Sequence, residues 1–242
     1  MTDILTVKDV SFSFGDKAVL NNVSLEVQKG EIVSILGPSG VGKSTLFNLI
    51  AGILPLQKGT IEVDNAPISF GKVSYMLQKD LLLEHKTVLG IILPLLLKKI
   101  PKEEATSTAL KLLDEFKLGS IANLYPNALS GGMRQRVALL RTYLLGHSVF
   151  LLDEAFSALD ELTRQDLYHW YLDSNERLGL TTLVITHSIE EALTLSDRVY
   201  ILNHNPGEII ADLPLKWDPA TDRDWQQLQY KKRIIELLSE FH

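Results

Sequence analysis

The segment at residues 37–45, with the sequence GPSGVGKST, constrains the fold and chemistry of this chain more than any other feature. It lies between an apolar run at residues 32–36 and a helix-like pattern at 46–51, the strand, loop and helix order that a phosphate-binding loop requires. Glycines let consecutive backbone N–H groups surround phosphate oxygens, and the helix N-terminus adds partial positive charge. Background residue frequencies give a chance match in roughly one such chain per hundred. We therefore predict a nucleotide-phosphate site here.

Two side chains of this loop add chemistry that its backbone lacks. Lys43 carries a cation on a stem long enough to reach the β- and γ-phosphates of a nucleotide. The Ser44 hydroxyl can ligate Mg²⁺ beside those phosphates. The predicted nucleotide-binding residues of the loop are Gly37, Pro38, Ser39, Gly40, Val41, Gly42, Lys43, Ser44 and Thr45.

Three further apolar runs, at residues 73–77, 149–152 and 182–185, share the character of the run before the loop. They lack alternation between apolar and polar residues, which predicts strands buried on both faces of a largely parallel sheet. Buried helix turns are the alternative, but each run is short and ends at polar or Gly residues. Ligands of such sheets bind beyond the carboxyl ends of the strands, so the residues after these runs are site candidates.

Each of the three runs is followed by a group that phosphate chemistry can use. Asp153 is suited to hold Mg²⁺, and Glu154 to polarise an attacking water as general base. The Gln78 amide can contact Mg²⁺ or the water, and His187 can donate to the γ-phosphate. Taken singly, each has an ordinary structural explanation, such as a solvated turn. Their coincidence favours a catalytic set of Lys43, Gln78, Glu154 and His187, with Asp153 as a metal ligand beside Ser44 and Gln78.

A second small-residue turn precedes a helix that begins near Met133. Ser130, Gly131 and Gly132 form this turn, which by backbone geometry is another candidate anion site. Ser130 is equally suited to be a plain N-cap for that helix. One nucleotide is already provided for by the loop at 37–45. If the second turn also binds phosphate, it would therefore serve the nucleotide of a partner subunit in a two-fold dimer.

The region between the apolar runs at 73–77 and 149–152 differs in sequence pattern from the rest of the chain. Helix-like stretches at residues 105–116 and 133–145 predict a helical subdomain inserted into an α/β core. The second stretch places four residues on one helix face, namely Met133, Val137, Leu140 and Leu144. After residue 213 the chain becomes polar and ends in a predicted amphipathic helix at 224–241.

Composition excludes several classes of protein. The net charge is −6, from 24 Lys and Arg against 30 Asp and Glu, so no basic face for nucleic acid is expected. The absence of Cys excludes disulfides and thiol catalysis. Acidic residues near the N-terminus argue against a signal peptide. The most apolar stretch, at 89–97, is about half of the ~20 residues that a membrane-spanning helix needs, so we expect no membrane crossing.

Together these segments resemble the ATP-binding-cassette (ABC) ATPases, the motor subunits of ABC transporters. The resemblance runs from residue 7 to about 213 in unbroken motif order: a Walker A motif at 37–45, a Q-loop at Gln78, a signature motif at 129–135, a Walker B motif at 149–154, a D-loop at 157–160 and a switch histidine at His187. The resemblance implies that Phe14 stacks on adenine and that Asp160, with Ser130, Gly131 and Gly132, contacts nucleotide.

The resemblance also implies a fold and a domain organisation. The expected fold is an α/β P-loop NTPase with a mostly parallel sheet core, an N-terminal antiparallel β subdomain and an inserted helical subdomain. We expect one ABC ATPase domain over residues 1–242, with a core at about 1–80 and 149–215, a helical subdomain at about 81–148 and a C-terminal helix at about 224–241.

The resemblance implies ATP and Mg²⁺ as cofactors and a head-to-tail homodimer, or pair of ATPase subunits, as the working unit. It also implies an integral membrane permease as partner, a solute-binding protein as an indirect one, and a place on the cytoplasmic face of the cell membrane through the permease. Residues 78–82 and 158–164 are similar to importer ATPases of the nitrate, sulfonate, taurine and thiamine-precursor branch. An exporter ATPase is the alternative, because the motor motifs do not encode direction.

Two residues depart from the family pattern: Ala155 replaces a usual Pro after the catalytic glutamate, and Ile91 replaces a branch Asn after the Q-loop. Three other cassette classes fit less well. A tandem translation ATPase needs a second cassette, and a chromosome-maintenance ATPase needs a long coiled coil. A catalytically silent subunit would lack Glu154 or His187, and both are present.

Overall fold

The alternating apolar residues near the start of the sequence form two long paired strands. β1 (Asp3–Phe14) pairs antiparallel with β2 (Lys17–Gln28), and the side chains on one face are buried. The computed structural model describes residues 3–239. β4 (Lys58–Val63) and β5 (Ala66–Pro67) complete an antiparallel sheet in the order β2-β1-β4-β5. The expected N-terminal antiparallel sheet is confirmed.

A second sheet carries the predicted buried strands. It contains β3 (Ile32–Leu36), β7 (Val149–Asp153), β8 (Thr181–Thr186), β9 (Arg198–Asn203) and β10 (Glu208–Pro214), in the order β10-β9-β3-β8-β7. Neighbours in β9-β3-β8-β7 are parallel, and β10 is antiparallel to β9. Every residue of β3, β7 and β8 is buried, as non-alternating runs predict.

Three helices accompany these sheets: α1 (Lys43–Ile50), α6 (Ile189–Leu195) and α7 (Arg223–Ser239). Ile234 and Leu237 of α7 are buried in one apolar cluster with Leu193 of α6 and Ile201 of β9. The predicted C-terminal helix therefore exists and packs through its apolar side. Residues 240–242 and 1–2 lie outside the described part of the chain, so the predicted end of that helix at 241 is not covered.

The chain divides into two compact units. The first contains residues 3–73, 148–154 and 179–239 of the described chain, and the second contains 74–147 and 155–178. Sequence analysis grouped 155–178 with the core, whereas this helical segment belongs to the second unit. The elements of the second unit are β6 (Ser74–Met76), α2 (Val88–Leu97), α3 (Lys102–Glu115), 3₁₀ turns at Gly119–Ile121 and Pro126–Ala128, α4 (Gly131–Tyr143) and α5 (Glu161–Leu178).

The apolar face predicted for α4 is correct in three of its four positions. Val137, Leu140 and Leu144 are buried, whereas Met133 is 41% exposed. Met133 lies in the first turn of α4, where Gly132 is the buried residue instead. The 3.6-residue period therefore gives the buried face of the later turns but not that of the first turn.

Among residues 3–239, no helix is both long enough and apolar enough to cross a membrane. The apolar helix α2 has only 10 residues and contains Pro94. Its buried residues, which include Ile91, fill the interior of the second unit.

Candidate nucleotide-binding and catalytic site

The phosphate-binding loop connects β3 to α1 in the first unit, in the order that the sequence predicts. Gly42 is the N-cap of α1 and has a φ of 109°, a conformation that side chains disfavour. A Cβ at Gly42 would also lie 2.7 Å from the Leu20 Cδ2 of β2. Glycine is therefore required at this position by both backbone conformation and space.

A cavity of about 230 Å³ lies over this loop. Glu154 reaches it from the end of β7, and Val19 reaches it from β2. Val19 was not predicted as a site residue, because its place in an alternating strand gives no sign that it faces a ligand. The loop residues that line the cavity are Ser39, Gly40, Gly42, Lys43, Ser44 and Thr45.

Lys43 is the buried cation of this site and is only 6% exposed. Its Nζ donates to the carbonyl oxygens of Gly37 at 2.8 Å and Pro38 at 2.9 Å. Burial lowers the pKa of Lys43, while the carboxylates of Glu154 and Asp153 act in the opposite direction. The cation is thus held where desolvation is costly, and negatively charged oxygens stabilise it there.

The two acids after β7 have different environments. Asp153 ends the strand, pairs in register with Ile185 of β8 and is 9% exposed. Glu154 has a φ of 46°, and its N–H donates to the Ile185 carbonyl oxygen at 3.0 Å. This turn directs the Glu154 side chain toward the cavity over the phosphate loop, while Asp153 stays buried.

His187 follows β8 and lies beside Glu154. Its Nδ1 is 3.4 Å from the Glu154 Oε1, and the imidazole is 55% exposed. His187 also lines a second cavity of about 170 Å³ with Leu36, Gly37, Pro38 and Leu238. Leu238 of α7 is a neighbour that sequence analysis missed, since nothing in an amphipathic helix reveals which loop it will contact.

The side chains present fit a magnesium ion. Ser44 and Asp153 offer hydroxyl and carboxylate oxygens, the donor type that Mg²⁺ prefers. Across residues 3–239, no group of three or more His, Cys, Asp and Glu side chains is placed to hold a metal. At nucleotide sites Mg²⁺ commonly takes its remaining ligands from phosphate and water.

Phe14 ends β1 and is 53% exposed. Its ring packs edge-on against Phe12, with centroids 4.9 Å apart and an interplanar angle of 82°. The buried neighbour fixes one edge of the ring, while much of the ring surface stays open. This is the arrangement that a stacking platform for a planar base requires.

The remaining predicted site residues belong to the second unit. Ser130 is the N-cap of α4, since its Oγ accepts from the Met133 N–H at 3.3 Å. Ser130 and Gly131 are exposed. The Asp160 carboxylate accepts from the Thr163 N–H at 3.1 Å at the start of α5, and hydrogen bonds at this helix start lower the pKa of Asp160. The capping alternative for Ser130 is thus realised in this structure.

Gln78 follows β6 in the second unit and is exposed. It lines a cavity of about 620 Å³ that is larger than the one over the phosphate loop. The other lining residues are Lys79, Asp80, Leu81, Leu82, Glu84, Arg134, Gln135 and Ala158. Gln78 therefore stands at the rim of an open surface formed by the segment that follows it and by the first turns of α4.

Known proteins of one family are similar to this chain. The ABC transporter family model matches residues 20–157. The chain is 41% identical to the formylaminopyrimidine import ATP-binding protein ThiZ of Halalkalibacterium halodurans, with 98% of this chain and 97% of that protein covered. It is 38% identical to the aliphatic sulfonates import ATP-binding protein SsuB 2 of Pseudomonas syringae pv. tomato, with 95% and 94% covered.

A solved structure is similar in both sequence and fold. The dimeric, post-hydrolysis structure of the ATP-binding cassette MJ0796 bound to ADP and Pi has a TM-score of 0.72 to this chain at 31% identity, covering 88% of this chain and 100% of that one. The family and fold predicted from the ordered motifs are confirmed, and with them the binding of ATP. This chain belongs to the ABC transporter family and is an ATP-binding, ATP-hydrolysing cassette of that family.

Proposed function

We propose that this chain hydrolyses ATP to drive solute import through a separate membrane permease. One observation carries the catalytic part of the proposal. Glu154 lines the cavity over the phosphate loop while its carboxylate contacts His187. A carboxylate beside a phosphate cradle, held by an imidazole, is suited to activate water for attack on the γ-phosphate.

The reaction follows from the side chains of this cavity. The backbone N–H groups of the loop and the Lys43 ammonium bind the β- and γ-phosphates. Glu154 accepts a proton from water as the water oxygen bonds to the γ-phosphorus. The bond from that phosphorus to the β,γ-bridging oxygen breaks, and ADP and phosphate form. His187 holds the carboxylate in position and can donate to a γ-phosphate oxygen.

Mg²⁺ completes the proposed site. When bound, the ion would supply positive charge that offsets the negative charge developing on the phosphate oxygens in the transition state. We assign Ser44 and Asp153 to hold it, with Gln78 contributing an amide oxygen to the ion or to the water. All three are oxygen donors, in keeping with the preference of this ion.

The working unit is proposed to be a two-fold dimer. Ser130, Gly131 and Gly132 would contact the nucleotide held by the phosphate loop of the partner subunit, and Asp160 would lie near the same interface. The exposure of Ser130 and Gly131 supports this, since a turn that serves another subunit must be accessible. Phe14 is proposed to stack on the adenine of the nucleotide bound by its own subunit.

The proposed permease surface is the cavity beside Gln78. Leu81 and Leu83 are 56% and 50% exposed in this segment, while Leu82 between them is buried. Exposed leucines beside a cavity of about 620 Å³ fit an amphipathic helix of a membrane partner. Docking there would place the chain at the cytoplasmic face of the cell membrane.

The solute is proposed to be a small polar molecule of the kind that this importer branch carries. The similarity to ThiZ, named for formylaminopyrimidine import, and to SsuB 2, named for aliphatic sulfonates, supports this class. A solute-binding protein would deliver the solute to the permease from the other side of the membrane.

Reconstitution tests this proposal. The tagged chain is co-purified with its membrane partner and placed in vesicles with ATP on the chain's side. Each candidate solute is added on the opposite side of the vesicle membrane together with the matching solute-binding protein. The solutes are formylaminopyrimidine, aliphatic sulfonates, taurine and nitrate. We expect one solute to accumulate on the ATP side, and a Glu154→Gln complex to carry none. ATP-driven movement away from the chain's side would instead identify an exporter, and no coupled movement would refute the transport role.

A further inference from the structure

Arg134, in the first turn of α4, forms ion pairs with two acids of the segment after Gln78. Its Nε donates to the Asp80 Oδ2 at 2.8 Å, and its Nη2 donates to the Asp80 Oδ1 at 3.0 Å. The same Nη2 donates to the Glu84 Oε1 at 2.7 Å. One guanidinium thus binds one carboxylate with both arms and reaches a second, a geometry that lysine cannot reproduce.

Other contacts fix the same segment. The Leu82 N–H donates to the Asp80 Oδ1 at 3.0 Å, and the Arg141 Nη1, two turns further along α4, donates to the Leu81 carbonyl oxygen at 2.8 Å. We name residues 79–84 the docking segment, after its proposed role. The docking segment is held to α4 at two points. Arg134 in the first turn binds side-chain carboxylates, and Arg141 two turns later binds a backbone carbonyl.

The ionisation of these groups follows the geometry. Burial acts to raise the pKa of Asp80, but hydrogen bonds from Arg134 and the Leu82 N–H outweigh it, and the pKa is lowered. Hydrogen bonds to Asp80, and then to Glu84, raise the pKa of Arg134. Both charges are therefore present at neutral pH. The side chains of Arg134 and Asp80 are 24% and 19% exposed, so lost hydration offsets part of their attraction, and the main effect of the pair is to fix geometry.

We propose that Arg134 is a positioning residue that couples the docking segment to the signature turn at Ser130. Arg134 lies four positions after Ser130 at the same helix start, and the Arg134 N–H donates to the Ser130 carbonyl oxygen at 2.9 Å. A movement of the docking segment is thus passed to the turn, and ordering of the turn is passed back. This inference rests on the proposed roles of Ser130 and of the docking segment.

Hydrogen–deuterium exchange tests the coupling with the full chain and ATP alone. A Glu154→Gln background keeps ATP bound in the presence of Mg²⁺, and exchange is followed in peptides that cover 78–86 and 129–137. We expect ATP to slow exchange in both peptides by roughly 3- to 5-fold. Adding Arg134→Ala should retain the protection of 129–137 and remove that of 78–86. Arg134→Lys, which cannot bind Asp80 with two arms, should give intermediate protection.

Two further variants make the test specific. Arg177→Ala, an exposed arginine of α5 that donates to the Asp173 carbonyl oxygen, should keep both protections. Asp80→Asn weakens the same contact from the opposite side, so it should reproduce the effect of Arg134→Ala even if the arginine variant folds poorly.

The outcomes separate the inference from the proposed function. If ATP leaves 129–137 unprotected in the background protein, the proposed nucleotide role of the signature turn fails. If 129–137 is protected but 78–86 is not, or if 78–86 stays equally protected in Arg134→Ala, the coupling is refuted. If Arg134→Ala loses the slow exchange of both peptides, the coupling is also refuted, because Arg134 would then be needed to form the signature turn itself.

Discussion

Oε1 of Glu154 lies 3.4 Å from Nδ1 of His187, although the two residues are 33 positions apart in the chain. The contact exists because β7 and β8 are parallel neighbours, with Asp153 in register with Ile185. Both strands therefore end at the same edge of the sheet, and the residue after each meets the other there. The pair lies beside the loop that holds Lys43, so one sheet edge brings together the proposed phosphate-binding cation, the proposed base and the imidazole beside that base.

The first prediction concerns this pair. His187→Ala should lower kcat roughly 10- to 100-fold, because an imidazole in contact with the proposed base is lost. The loss should be much smaller in a Glu154→Gln background, where the base is already absent. Phosphate release measured for the four members of this double-mutant cycle gives the coupling. Purely additive effects would show that the contact has no role in catalysis.

The second prediction concerns the buried cation. Lys43→Met should weaken ATP binding roughly 10- to 100-fold, because charge-assisted contacts to phosphate are lost. Titration with a fluorescent ATP analogue measures the dissociation constant. Lys58→Met, which changes an exposed lysine of β4, is the matched control and should bind as the wild type does. Equal affinity in both variants would contradict the role of Lys43.

The third prediction is the pH dependence of stability that the same cation causes. The pKa of Lys43 is lowered in the folded chain, so the unfolded chain binds more protons between the folded and the usual lysine pKa. The free energy of unfolding of the wild type should therefore rise relative to Lys43→Met from about pH 7 to about pH 10. Urea denaturation at both pH values measures this. An opposite trend would mean that the lysine prefers its charged form in the folded protein.

Sequence patterns predicted the buried strands and the residues that follow them because both are local features of the chain. Composition and length are enough to predict β3, β7 and β8 as buried strands. The position directly after each run is enough to identify the residue at the end of the strand. The Arg134–Asp80 pair could not be predicted, since it joins residues 54 positions apart through the packing of α4. Val19 and Leu238 were missed for the same reason, and the exposure of Met133 depends on which side of the first turn of α4 is covered.

The fourth prediction concerns the proposed trans site. Mixing Lys43→Ala and Ser130→Arg subunits leaves one intact composite site per heterodimer, and some ATPase activity should return. In this Cys-free chain, Ser39→Cys on one subunit should crosslink to Ser130→Cys on its partner when ATP is present. Denaturing gel electrophoresis distinguishes the products. A crosslink found only within one chain would contradict the trans arrangement.

The fifth prediction concerns the docking segment. Leu81→Asp with Leu83→Asp places charge on exposed leucines, so folding and the ATPase activity of the isolated chain should be nearly unchanged. Binding to the permease in a pull-down and transport in vesicles should both be lost. Leu228→Asp, on an exposed part of α7, is the control and should retain both. Normal transport by the double variant would place the permease surface elsewhere.

The most direct test of the whole account is a single-turnover measurement of ATP hydrolysis by Glu154→Gln, combined with its mass in solution. We expect the variant to bind ATP and to form a dimer of twice the 27.1 kDa chain mass. It should hydrolyse ATP about 10²- to 10⁴-fold more slowly than the wild type. Glu176→Gln, which changes an exposed glutamate of α5, should hydrolyse normally. Wild-type hydrolysis by Glu154→Gln would contradict the assignment of Glu154 as the base that activates water.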